Sequence, residues 1–94
     1  MNTLEKQKQT ITVVDFPLMT NHYIDRYFER ILTEPKPSRY NKKTYKKIYY
    51  DMKHRMLKKE IQFMKLFSRS SEALIPMGRF NTIVIRNNRL ITVY

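Results

Sequence analysis

The sequence predicts an α+β domain. A helical hairpin, made of a short helix and then a long basic helix, packs on a small, mainly antiparallel sheet that ends in a C-terminal β-hairpin. Three observations carry this expectation. Apolar residues recur at helical spacing in two blocks: Tyr23, Ile24, Tyr27, Phe28 and Ile31, then Tyr45, Ile48, Tyr49, Met52, Met56, Phe63, Leu66 and Phe67. Pro35 and Pro37 lie between the blocks, where two prolines at that spacing stop a helix. After residue 72 the helical period gives way to β-branched runs on either side of Asn87-Asn88.

Taken in order, residues 1–9 are polar and aperiodic and are expected as a flexible tail, with residues 10–94 forming one small basic domain. Thr10-Ile11-Thr12-Val13-Val14 is β-branched and reads as a short strand, closed where Pro17 lacks a ladder donor. Thr20 or Asn21 is placed to cap the first helix through a side-chain oxygen. The second helix is expected over residues 40–67, with Ser38 or Asn41 as its cap and a length of roughly 40 Å. Wound at helical pitch, it sets Lys47, Lys58, Lys65 and Arg69 opposite the apolar stripe, with Arg55 near the edge. Tyr50, Leu57, Ile61 and Met64 form a second, narrower apolar strip. Ala73-Leu74-Ile75 is a brief apolar run before Pro76, and Gly78 supplies the positive φ of a turn. Asn tolerates the left-handed conformation, so Asn87-Asn88 joins the last two runs as a tight hairpin. Two strands alone are marginal, and a third is expected from residues 10–14 or 73–75.

Charge is distributed unevenly. Twelve Lys and Arg residues stand against Asp51 and Glu60 between Lys36 and Arg69, which is +10 of a net +11 in about a third of the 94 residues. Clustered cations gain free energy by displacing counterions from a polyanion, so the expected partner is nucleic acid, DNA or RNA, or another polyanion. Hydrophobic residues make up 41% of the chain and aromatics 13%, too many for a disordered chain. Zero cysteines exclude disulfides, thiol catalysis and thiolate metal sites, and a single glycine excludes Gly-rich phosphate loops. No cofactor is expected. No apolar run reaches membrane-spanning length and no signal-peptide core is visible, so a cytoplasmic protein, or one packaged within a virion, is expected, without a membrane partner. Richness in Lys, Asn, Ile and Tyr suits an AT-rich genome such as that of a phage or mobile element.

The candidate nucleic-acid contacts are Lys47, Arg55, Lys58, Lys65 and Arg69 on the long helix, extended by Lys42, Lys43 and Lys46 near its start. The turn residues Arg79, Arg86 and Arg89 join them, because hairpin tips commonly carry contacts; charge there also protects a sheet edge from aggregation. An ordinary solvated helix face would mix charges of both signs, and acids are nearly missing here. Tyr40 and Tyr50 are free to stack on unpaired bases, whereas Tyr45 and Tyr49 lie on the apolar stripe and are expected in the core. His22 and His54 sit on different helices without converging carboxylates, so a metal site is not expected. Met52, Met56 and Met64 read as core filler.

The element order β-α-α-β-β-β resembles RelE-type messenger-RNA-cleaving toxins, which are small and basic. That resemblance implies a ribonuclease with Arg86, Arg89 and Tyr94 on the late strands. The run Leu74-Ile75-Pro76-Met77-Gly78-Arg79-Phe80 is similar to the helix-to-sheet step of HU/IHF-like proteins. The residues themselves favour non-enzymatic binding through phosphates with little sequence reading. A further alternative is docking of the basic helix on an acidic protein. The second apolar strip, around Leu57 and Ile61, suits a homodimer or a subunit of a larger assembly.

Overall fold

The computed structural model describes residues 16–94; the tail expected at residues 1–9 and the strand expected at residues 10–14 lie outside the described residues. Within them, three α-helices and a four-stranded mixed sheet make an α+β fold. In chain order the elements are β1 (Leu18–Met19), α1 (Asn21–Tyr27), a π-helical continuation (Phe28–Leu32), α2 (Lys42–Arg55), α3 (Lys58–Leu66), β2 (Ala73–Met77), β3 (Asn81–Arg86) and β4 (Arg89–Val93). The strands lie in the order β1-β4-β3-β2; the β1–β4 pair is parallel and the others antiparallel.

Thr20 begins α1 and ties it to the sheet. Its Oγ1 accepts from the Tyr23 backbone N–H at 3.1 Å and donates to the Leu90 carbonyl at 2.7 Å. That cap satisfies one of the orphan amides of the first turn. Tyr23, Ile24, Tyr27 and Phe28 are then buried on one face, as their spacing predicts. Thr33 ends the helix at φ 51°, two residues before Pro35, and both Thr33 and Glu34 donate their N–H to the Phe28 carbonyl. In α2 the cap is Asn41, whose side chain accepts from the Thr44 N–H at 3.1 Å. Thr44, Ile48 and Met52 are its buried residues.

The single long basic helix expected over residues 40–67 is corrected by the structure. It breaks at Met56 and Leu57, both extended (ψ 145° and 154°), into α2 and α3. No proline or glycine causes the break. Glu60, buried at 5% exposure, turns back to accept from the Leu57 N–H at 2.9 Å and from the Gly78 N–H at 3.3 Å. This is the reciprocal half of a capping box, the half available when the cap residue is leucine and has no acceptor. The carboxylate also binds the start of α3 to the β2–β3 turn. Because the helical phase restarts at Lys58, Phe63, Leu66 and Phe67 do not continue the core stripe; they are 43%, 72% and 43% exposed. Leu57, expected on the second apolar strip, is exposed as well.

The sheet's third strand is β2, extended through Pro76. Pro76 is tolerated because β2 is an edge strand and because of its register. Thr82, its partner across β2–β3, exchanges both backbone bonds with Tyr94 on the other side, so the Pro76 nitrogen faces the open edge. The hairpin tip has Asn87 and Asn88 at φ 50° and 63°, the left-handed pair a two-residue turn requires. That tip is docked. Asn87 and Asn88 donate their N–H groups to the Ser70 and Ser68 carbonyls, and the Asn88 carbonyl accepts from Leu18. Ile48, Met52, Met56 and Met64 share one core with Tyr23, Ile24 and Tyr27 of α1 and with Ile75, Ile83, Ile85, Leu90 and Val93 of the sheet.

Candidate functional site

Acids define the site by where they are spent. Six lie among the described residues, and each has an intramolecular partner. Asp25 accepts from the Tyr40 hydroxyl at 2.6 Å, and Glu29 pairs with Arg26 and Arg30. Glu34 holds Lys47 at 2.8 Å, and Glu72 holds Arg86 at 2.8 Å. Asp51 binds both the Arg55 guanidinium (2.6 Å) and the Tyr27 hydroxyl (2.5 Å), while Glu60 caps α3. Seventeen Lys and Arg side chains occupy the same residues, and five of them make these ion pairs. The other twelve face no carboxylate among the described residues.

These cations are not spread evenly. With the phase set by α2 alone, Lys42, Lys46 and Lys53 fall within about 40° of one another around the axis, opposite Thr44, Ile48 and Met52. Lys43 and Tyr50 flank them on the same exposed side. Lys42 and Lys43 occupy the first turn of α2, which contains no acid. Cations there oppose the helix dipole by about 0.3–1 kcal/mol each, so folding alone does not favour them. Lys53 lies 5.4 Å from the centroid of the Tyr49 ring, a cation–π contact that steadies it while its side chain stays exposed.

The five-residue face expected from a continuous helix is therefore not one surface. Lys47 is tied to Glu34 and lies over the Phe28 ring at 5.2 Å. Arg55 is tied to Asp51, and that hydrogen bond raises its pKa above the ordinary arginine value. Lys58 is exposed at the start of α3, in a new helical phase, and Lys65 is half-buried beside Phe16, Ile61 and Met64. Arg69 is exposed beyond the end of α3, and Arg79 in the β2–β3 turn. Lys53 belongs to the site although sequence spacing left it out, because winding over residues 40–67 averaged two helices with different phases.

At the C-terminal hairpin, Arg86 and Arg89 pair across its tip, while Tyr94 pairs with Thr82 at the opposite end. The length of β4, roughly 17 Å, separates them, so the three do not converge. Arg30 lies over the Tyr94 ring at 5.4 Å and donates to the Val93 carbonyl. The stacking candidates also part. The Tyr40 hydroxyl is held by Asp25, which raises its pKa, whereas Tyr50 is 62% exposed. Of the two tyrosines expected in the core, Tyr45 is instead 37% exposed, its hydroxyl donating to the Met19 carbonyl at 2.9 Å, and Tyr49 is partly buried, packing edge-on against Phe16 at 4.9 Å.

An apolar groove lies beside α3 and β2. It measures about 320 Å³ and is lined by Phe63, Phe67 and the β2 segment 73–76. Among the described residues no three His, Asp or Glu side chains gather as a metal site would need, and no helix is long and apolar enough to cross a membrane. No family model matches the chain, and neither do the curated proteins nor the solved structures with which it was compared.

Proposed function

We propose that this protein binds nucleic acid without catalysing a reaction, holding backbone phosphates on the exposed face of α2 through Lys42, Lys43, Lys46 and Lys53. One observation carries the proposal: the fold uses every acid among the described residues internally and leaves twelve cations without a carboxylate. A face maintained for solubility gains from alternating signs. A face of one sign gains chiefly when it meets the opposite sign, through counterion release. Contacts of this kind fix position without reading bases, so affinity should vary little with sequence. Lys58, Lys59, Arg69, Arg79 and Arg89 are exposed on other elements and add longer-range attraction.

A second reading is docking on an acidic protein or within a larger assembly, and the Phe63–Phe67 groove beside the open β2 edge favours it. Purification of the tagged protein with and without nuclease separates the two. Co-purifying material absorbing at nucleic-acid wavelengths, lost on nuclease treatment, is the result expected from phosphate binding. Retention of an acidic protein partner after nuclease, with no nucleic acid recovered beforehand, would favour docking.

A further inference from the structure

We propose that the bound polymer is single-stranded, with an unpaired base stacked on Tyr50. This deepens the nucleic-acid reading above and rests on it.

Three tyrosines lie on α2, and the structure assigns two of them to the fold. Tyr45 spends its hydroxyl on the Met19 carbonyl, and Tyr49 is packed between Phe16 and the Lys53 ammonium. Tyr50 differs. Its side chain is 62% exposed, and its hydroxyl has no partner among the described residues. The ring meets Tyr49 in an edge arrangement, with centroids 5.6 Å apart and planes at 66°, which props it without covering it in a parallel stack.

Its neighbours on the helix surface are cations. Lys46 precedes Tyr50 by four residues and Lys53 follows it by three, so each is adjacent to it on the surface. The two ammonium-bearing positions are separated by roughly 10 Å along the axis, with the aromatic ring between them. Lys43 adds a third cation one turn further on. An aromatic platform set between phosphate-binding cations holds a strand by its base and its backbone at once. In a duplex the base faces are already stacked and paired, so Tyr50 gains nothing from them; in a single strand they are open. The exposure of the ring, a cost to solubility in the free protein, is accounted for by such a contact.

The test compares three fluorescein-labelled polymers of equal length by anisotropy: oligothymidylate, an abasic strand with the same phosphates, and a duplex. Wild type is expected to hold oligothymidylate about tenfold more tightly than the abasic strand, the increment one stacked base supplies. Tyr50→Ala should reduce oligothymidylate affinity to the abasic level, leave abasic affinity and the salt slope unchanged, and Tyr50→Trp should restore binding. Equal affinity of wild type and Tyr50→Ala for oligothymidylate, or an equal loss on both strands, would overturn the stacking while the salt-dependent phosphate contact stood. Absence of salt-dependent binding to all three polymers would remove both readings together.

Discussion

Replacing Lys42, Lys46 and Lys53 together with Glu is expected to abolish nucleic-acid binding while the domain stays folded. The three positions share one side of α2, and none makes an ion pair with a carboxylate among the described residues. Reversal therefore removes three phosphate contacts and places three repulsive charges on the same face. A loss of about 100-fold or more at moderate salt follows from the steepness of polyelectrolyte binding. Folding should be nearly unaffected, since exposed substitutions lie within about 0.5 kcal/mol. Glu suits the helix N-terminus at position 42 better than Lys, which offsets the opposite effect of Glu at position 53 in the last turn. Lys47→Gln is the control: Lys47 is already neutralised by Glu34, so its loss should change affinity far less than the triple reversal. Equal affinity of the triple variant and wild type in an anisotropy titration would remove α2 from the interface.

Tyr27→Ala carries the largest effect expected on stability, a loss of about 3–5 kcal/mol. Tyr27 has no exposed surface, lies 5.7 Å from the Tyr23 ring, and reaches across to Asp51 on α2. The truncation opens a cavity between α1 and α2 and strands a carboxylate that retains Arg55 alone. For a domain whose whole stability is of order 5–15 kcal/mol, that loss unfolds a large fraction of molecules on warming. Tyr27→Phe keeps the packing and loses a hydrogen bond to a carboxylate, at a cost of about 1.5–3 kcal/mol. Urea titrations of the two variants separate packing from bonding.

The same residue predicts an alkaline limit. Burial, and next the bond to Asp51, raises the Tyr27 pKa well above the ordinary value of 10.0; burial raises that of Tyr23 likewise. Above pH 10 the unfolded chain releases these protons while the folded chain keeps them, so the unfolded state binds fewer protons and stability falls as pH rises. Below pH 10 this contribution is fully present. Tyr27→Phe should therefore flatten the decline of the thermal midpoint above pH 10.

How much of this was legible in the sequence varies by element. Tyr23, Ile24, Tyr27 and Phe28 declared their face because burial and helical period coincide. Asn87-Asn88 declared the hairpin because few residues accept positive φ at two consecutive positions. The α2–α3 break has little local signature because its cause is tertiary: the Glu60 carboxylate accepts from the Gly78 N–H, eighteen residues away. A trace was present, since Lys53-His54-Arg55 followed by Glu60 has the charge order of a helix end and then a helix start. β1 is two residues long and exists through its pairing with β4, which no local pattern encodes. The candidate site depends on the same break. A phase carried through the break assigned Lys47 and Arg55 to the binding face, though both belong to internal ion pairs. Which cations lack a carboxylate is a property of the folded chain, invisible in the count of charges.

The salt dependence of binding to a single-stranded oligonucleotide tests the central claim most directly. Four or five phosphates neutralised on α2 and its surroundings predict that log K falls with log salt at a slope of about −3 for a single strand, near −4 for a duplex. A slope in that range, lost in the triple reversal, is the expected result. Binding that is independent of salt, or no binding at low salt, would contradict a phosphate-holding face.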